Sequence, residues 1–246
     1  MTMKNEIKEI HFDSGPFMLS AFIHIPEGKN PPFVIGSHGL LSDAMSAKQI
    51  NLANELNKRN IGYMRINHRG SGKSEGDLEN SNLETRKEDL VSAFNYLKKN
   101  FNPSKTGLFG SSMGGASCIY ANEIINPNAL VLTASPLSGH SMGKAFSLNI
   151  KSLIKESGLS ENFFKKNMDF DITEKTFNLK NVLVIHGDKD EIVPFENGEK
   201  LFSNSMSPKK FLRIENANHR IENINHQEIF QKNALDWFIK YLEYEK

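Results

Sequence analysis

Short apolar or β-branched runs alternate with longer stretches of helical period along almost the whole chain, and this alternation constrains the fold more than any other feature. The runs Pro32–Ser37, Ile61–Ile66, Thr106–Gly110, Ala129–Ala134, Val182–His186 and Lys210–Ile214 read as strands. The stretches Ala44–Asn60, Leu83–Lys99, Met113–Ile125, Phe195–Ser203 and Gln227–Tyr244 read as helices. Ile50, Ala53 and Leu56 share one face of the first, and Leu90, Phe94 and Leu97 one face of the second. Such alternation predicts an α/β architecture, a mostly parallel, doubly wound sheet covered by helices on both sides. The start differs. Ile7–Phe12 and Phe17–Ile25 flank Asp13-Ser14-Gly15-Pro16, which predicts two antiparallel strands joined by a turn.

One segment breaks the rhythm. Between Pro136 and Lys180 no strand is evident, yet Phe146, Leu153, Phe163 and Phe164 are apolar. A structureless loop of that length is uncommon in a compact domain unless it is functional. A small helical insertion at about 137–180, lying over one end of the sheet, is therefore expected, with an ordinary surface excursion as the plain alternative. The 246 residues fit a single domain spanning 1–246.

Composition removes several classes of function. Thirty basic residues against 29 acidic ones leave a net charge of +1, so the balance gives no general case for nucleic acid or anionic membrane. Cys118 is the one cysteine, which excludes an internal disulfide framework and a multi-cysteine zinc site. No apolar run reaches the roughly 18 residues of a spanning helix, and Met1–Ile10 has no apolar core of a signal peptide. The expectation is a cytoplasmic protein with no membrane span, monomer or homodimer.

Gly110-Ser111-Ser112-Met113-Gly114 has the form G-x-S-x-G between a predicted strand and a predicted helix. A serine on so sharp a turn needs a strained backbone, with glycines on either side to let strand and helix approach. The turn would expose Ser112 Oγ and set the Met113 amide at a helix N-terminus, where an oxyanion is stabilised. The plain alternative is a glycine-rich turn with a capping serine. Ser111 is off the centre of the motif, and Cys118 falls in the helix as a core residue.

A serine nucleophile needs a base, and the base needs an orienting carboxylate. His219 sits in a loop of turn residues after the last strand, Glu215-Asn216-Ala217-Asn218-His219; His226, before the closing helix, is its competitor. His186 ends a strand and is expected to pack there. After that strand comes Gly187-Asp188-Lys189-Asp190-Glu191-Ile192-Val193-Pro194, at a carboxyl end, where ligand groups gather in open α/β sheets. Asp190, past the tight turn, is preferred as the acid. Asp188 is expected to bond loop amides, and Glu191 is a remote third. The loop Ser37-His38-Gly39-Leu40-Leu41 can lend a second oxyanion donor, the Leu40 amide, with His38 as a brace. Asn67-His68-Arg69-Gly70-Ser71-Gly72-Lys73-Ser74 has the look of a phosphate loop, but Asn67 stands where its first glycine belongs and no helix follows directly.

Taken together, His38-Gly39, Arg69 to Gly76, Gly110 to Gly115, His186 to Pro194 and Asn216 to His219 resemble the α/β-hydrolase superfamily over nearly the whole chain. The chain looks most like the small serine hydrolases of the cinnamoyl/feruloyl esterase and monoacylglycerol-lipase-like group. The resemblance implies an α/β-hydrolase fold with a helical cap, the triad Ser112, Asp190 and His219, and an oxyanion hole of the Leu40 and Met113 amides. It makes the arginine loop a structural brace. Asn67 stands where the family usually has Asp. The implied activity is that of a carboxylesterase on short or medium acyl or aryl esters, without cofactor or metal. Phe146, Leu153, Phe163 and Phe164 are expected to contact the acyl group of a small-molecule substrate. Thioesterase, lipase or serine aminopeptidase chemistry on the same triad is the near alternative, and a non-catalytic binding module the distant one.

Overall fold

A computed structural model describes residues 6–142, 151–152 and 154–243. The strands are β1 (Glu6–Ser14), β2 (Phe17–Ile25), β3 (Phe33–Ser37), β4 (Gly62–Ile66), β5 (Thr106–Ser111), β6 (Ala129–Thr133), β7 (Val182–Gly187) and β8 (Lys209–Ile214). They form one sheet in the order β1-β2-β4-β3-β5-β6-β7-β8. β2 is antiparallel to β1 and to β4, and all other neighbours are parallel. The expected antiparallel start is thus confined to one end of the sheet.

The helices are α1 (Ala47–Asn57), α2 (Leu83–Phe101), α3 (Met113–Ile125), α4 (Glu161–Met168), α5 (Glu196–Asn204) and α6 (Ile224–Leu242). The strand period of two sorts the central side chains into two cores. Leu108, Leu130, Leu132 and Val184 point to the face covered by Leu90 and Leu97 of α2 and Ile119 of α3. Phe109, Val131, Leu183 and Ile185 point to the opposite face, under Leu52 and Leu56 of α1 and Phe230 and Phe238 of α6. β3 to β7 are therefore buried on both sides, which is why they read as continuous apolar runs and not as alternating ones.

Local polar contacts set the helix ends. α1 is shorter than its apolar pattern suggests: Asn67 Oδ1 takes the Ala44 amide at 2.8 Å, and the helix begins only after Ser46. At its far end Asn60 adopts a φ of 60°. α2 opens with a capping box between Asn82 and Thr85 and closes on Asn102 at a φ of 45°.

Within the expected insertion, Ser138 and Asp171 form an isolated β-bridge, and α4 follows a Ser160 cap whose Oγ accepts the Phe163 amide at 3.0 Å. Asn167 Nδ2 donates to Ser81 O at 2.9 Å, which ties α4 to the start of α2. Among the described residues no helix is long and apolar enough to cross a membrane.

Candidate active site

Four loops leave the carboxyl ends of parallel strands β3, β5, β7 and β8, so the order of the sheet alone brings them to one rim. β5 ends at Ser111. Ser112 follows at φ 56° and ψ −125°, and α3 begins at Met113. A positive φ at a non-glycine residue costs roughly 1–3 kcal/mol and persists only when its surroundings over-determine it. Here the Ser112 amide donates to Thr133 O at 2.8 Å, and the Gly115 and Ala116 amides donate to Ser112 O. Gly114 is needed for a steric reason, since a Cβ there would lie 2.1 Å from Ser37 O.

Ser112 Oγ lies 3.1 Å from His219 Nε2. His219 Nδ1 lies 2.8 Å from Asp190 Oδ2 and 3.0 Å from Oδ1. Because a carboxylate only accepts, Nδ1 carries the proton, and Nε2 is left to take one from the serine. Asp190 Oδ1 also accepts the Ile192 and Val193 amides at 2.9 and 2.8 Å. Burial pushes the Asp190 carboxyl up, but the hydrogen bonds from His186 and His219 outweigh it and hold the group well below the usual carboxylate range. Asp188 is elsewhere engaged: it accepts the Asn216 amide at 2.6 Å and pairs with Arg213 at 2.7 Å. Glu191 Oε2 accepts the His219 amide at 3.1 Å, and His226 lies in the first turn of α6.

The loop after β3 runs beside the serine: a Cβ on Gly39 would be 3.7 Å from Ser112 Cβ. Among the described residues neither the Leu40 nor the Met113 amide donates a hydrogen bond. His38 is a brace, as expected, with Nδ1 donating to Gly39 O at 2.7 Å and Nε2 accepting the His68 amide at 3.2 Å.

The arginine loop is anchored, not open. Arg69 Nη2 lies 2.7 Å from Asp89 Oδ1, the Arg69 amide donates to Asp89 Oδ2, and Ser14 Oγ donates to Asp89 Oδ1. Lys73, which a phosphate loop would direct at its ligand, pairs with Glu9 of β1 at 2.8 Å.

A cleft of about 710 Å³ is lined by Leu41 and Arg220, the chain neighbours of Leu40 and His219, with Met45, Leu78 and Leu159 as further apolar wall and Asp43 among its charged groups. Phe163 and Phe164 have no exposed surface. They pack with Leu40, Leu78, Leu159 and Ile192 and do not themselves line the cleft, where the sequence predicts contact with an acyl group. Phe146 and Leu153 lie outside the described residues. Among the described residues no group of three His, Cys, Asp or Glu side chains is arranged to hold a metal ion.

The structure adds a contact at His186 and a buried side chain at Arg86. His186 was expected only to pack, yet its Nε2 lies 3.2 Å from Asp190 Oδ2 and 2.9 Å from Val193 O. Arg86 is fully buried. It could have been found, because it stands four residues before Leu90 on the apolar stripe of α2, where a solvated arginine has no place.

This sheet, with a serine on the turn after β5 and a histidine and aspartate on later loops, defines the α/β-hydrolase class. The chain belongs to the family described as serine aminopeptidase, S33, whose model matches residues 29–157, just over half of the chain. Relatives include the Escherichia coli K12 protein named uncharacterized protein YfhR, 26% identical over 198 residues, covering 78% of this chain and 65% of the relative. The protein named uncharacterized protein R595 of Acanthamoeba polyphaga mimivirus is 26% identical over 195 residues, covering 70% of this chain and 63% of the relative. The chain thus spans less than two thirds of the length of these curated relatives. Among solved structures, Est1E of Butyrivibrio proteoclasticus with ferulic acid bound aligns with a TM-score of 0.77 at 18% identity, covering 94% of this chain and 98% of that one. The Pyrococcus furiosus esterase PF2001 aligns with a TM-score of 0.82 at 17% identity, covering 98% and 92%. At these identities the likeness is one of fold.

Proposed function

We propose that the chain is a serine carboxylesterase acting on short or medium acyl or aryl esters through an acyl-enzyme. The observation that carries the reading is the unbroken relay from Ser112 Oγ to His219 Nε2 at 3.1 Å and from His219 Nδ1 to Asp190 Oδ2 at 2.8 Å. Ser112 Oγ attacks the acyl carbonyl while His219 Nε2 takes the hydroxyl proton. Asp190 holds the ring in the Nδ1–H tautomer and stabilises the imidazolium. The Leu40 and Met113 amides, which donate no other hydrogen bond among the described residues, donate to the oxyanion; one such donor is worth about 2.7–4 kcal/mol in the transition state. The imidazolium then protonates the leaving alkoxide. Water, deprotonated by the same ring, releases the acid and restores Ser112.

Leu41, Met45, Leu78 and Leu159 offer an acyl or aryl group an apolar strip in a cleft otherwise lined by polar groups such as Asp43, Ser46 and Arg220. The test is labelling with a fluorophosphonate, followed by hydrolysis of p-nitrophenyl esters of increasing chain length. Label on Ser112 and its loss, together with turnover, in Ser112→Ala is the expected result. An unlabelled, inactive wild-type protein overturns the reading. Amide hydrolysis is a second reading, favoured by the family match and by Glu156 on the cleft wall, which could anchor a substrate ammonium. Faster turnover of aminoacyl p-nitroanilides than of p-nitrophenyl esters would decide for it.

A further inference from the structure

Arg86 stands on the first turns of α2 with no exposed surface and, among the described residues, no carboxylate ion pair. Asp89, three residues on, is occupied by Arg69 and Ser14. Burying a guanidinium without a counter-charge is costly. An apolar side chain would fill the same place on the stripe more cheaply. Burial pushes the Arg86 group down to about 10, Asp89 opposing, and its Nη1 finds no partner among the described residues.

What the other two nitrogens do is specific. Nη2 donates to His38 O, in the loop after β3. Nε donates to Ser117 Oγ at 3.4 Å, and Ser117 Oγ in turn donates to Met113 O at 2.8 Å. One planar group thus reaches both segments that carry the idle amides, Leu40 on one side and Met113 on the other. The two segments also touch directly: a Cβ on Gly114 would lie 2.6 Å from His38 O. On the loop side the clamp is doubled. The His38–Gly39 peptide is held by Arg86 and the Gly39–Leu40 peptide by the His38 ring. The ring's tautomer is forced, because Gly39 O can only accept and the His68 amide can only donate. With the Gly39 carbonyl pinned, the trans peptide fixes where the Leu40 N–H points.

We infer that Arg86 is a positioning residue that sets the spacing of the two oxyanion donors, holding the Leu40 loop through His38 O and the start of α3 through Ser117. The inference rests on reading Leu40 and Met113 as those donors. A shift of ~1 Å in such a site can cost ~10²-fold in rate.

The experiment compares wild type, Arg86→Lys, Arg86→Met, Ser117→Ala and, as a control for lost stability alone, Leu97→Ala, which removes a core side chain of α2 remote from both loops. Each is assayed for kcat and KM on a p-nitrophenyl ester and for affinity to an alkyl boronic acid, whose tetrahedral adduct on Ser112 places an oxygen between the two amides. In Arg86→Met, kcat and boronate affinity should fall together by ~10²-fold, with KM close to wild type. Arg86→Lys should fall between, since one ammonium cannot serve both acceptors. Leu97→Ala should melt earlier and keep wild-type kcat and boronate affinity. If the Arg86 variants do not fold, Ser117→Ala decides, with an expected loss of about tenfold in both quantities. Arg86 or Ser117 variants that match Leu97→Ala, less stable yet kinetically wild type, overturn the inference while the labelled Ser112 still stands. A wild-type protein that takes no fluorophosphonate overturns the catalytic reading itself, and the inference with it.

Discussion

His186 Nε2 stands 3.2 Å from Asp190 Oδ2, so the carboxylate that faces His219 is held by a second imidazole. The two histidines come from different segments, His186 near the end of β7 and His219 in the loop after β8. The aspartate between them accepts the Ile192 and Val193 amides and faces His219 Nδ1, while His186 Nε2, close beside it, donates to Val193 O.

Replacing His186 should therefore be felt in acid stability as well as in rate. Asp190 is ionised in the fold below the pH at which an unfolded aspartate, near about 3.9, takes up its proton. The contribution is full above that value and is lost as pH falls through the folded-state value. His186→Leu removes one of the bonds that keep the carboxyl low. The variant should start less stable at neutral pH, by about 1–3 kcal/mol with the stranded Val193 carbonyl included. It should also show a shallower loss below pH 4. Urea unfolding at a series of pH values measures both, and a slope equal to wild type would contradict this account.

The two aspartates of the acid loop should separate cleanly. Asp190→Asn presents an amide to His219 Nδ1 and favours the wrong tautomer; a loss in kcat of ~10⁴-fold has precedent in another triad. Asp188→Asn breaks an exposed pair with Arg213 and should leave kcat within about twofold, with a small change in melting temperature. Steady-state kinetics on the pair would reverse the assignment if the Asp188 variant were the inactive one.

Ser112 should be less stable as serine than as glycine. Its φ of 56° is strained for any residue with a Cβ. Ser112→Gly, inert toward fluorophosphonate, should unfold at higher temperature than Ser112→Ala, by an amount equivalent to roughly 1–3 kcal/mol. Equal melting temperatures for the two inactive variants would mean that the turn is unstrained.

Gly114→Ala should be far more damaging than an ordinary glycine-to-alanine change in a helix, which favours helix formation. The added methyl would meet the backbone carbonyls of Ser37 and His38, neither of which can swing aside. Low soluble yield or a large drop in melting temperature is expected, together with loss of the proposed p-nitrophenyl ester turnover. A well-folded, active variant would show that the two loops have room to part.

How much of this was legible in the sequence depended on whether the cause was local. α3 could be bounded at both ends from its residues, because the glycine-flanked turn starts it and Asn126, at a φ of 47°, ends it. α1 could not, because the partner that draws off the Ala44 amide is Asn67, 23 residues away. The order Ser112, Asp190, His219 follows from strand–loop succession, so the three residues were visible as a set. His186 was hidden because only the folded acid loop shows that Asp190 turns back beside it. Phe163 and Phe164 were visible as apolar, but apolarity does not tell a pocket wall from the packing behind it. Arg86 was hidden by habit, since a charged residue in a helix is ordinarily read as solvated.

The sheet order has a temporal side. β8 is the last strand in the chain and the outermost on its edge, bonded only to β7, and the loop it leads into carries His219. Ser112 and His219 are 107 residues apart. A chain that has assembled everything up to β7 and its loop holds Ser112 and Asp190 but lacks His219 between them. Whatever order the strands take in refolding, the contact between Ser112 and His219 waits for β8 and the loop it leads into. If the proposed ester hydrolysis holds, its recovery reports the docking of that edge strand.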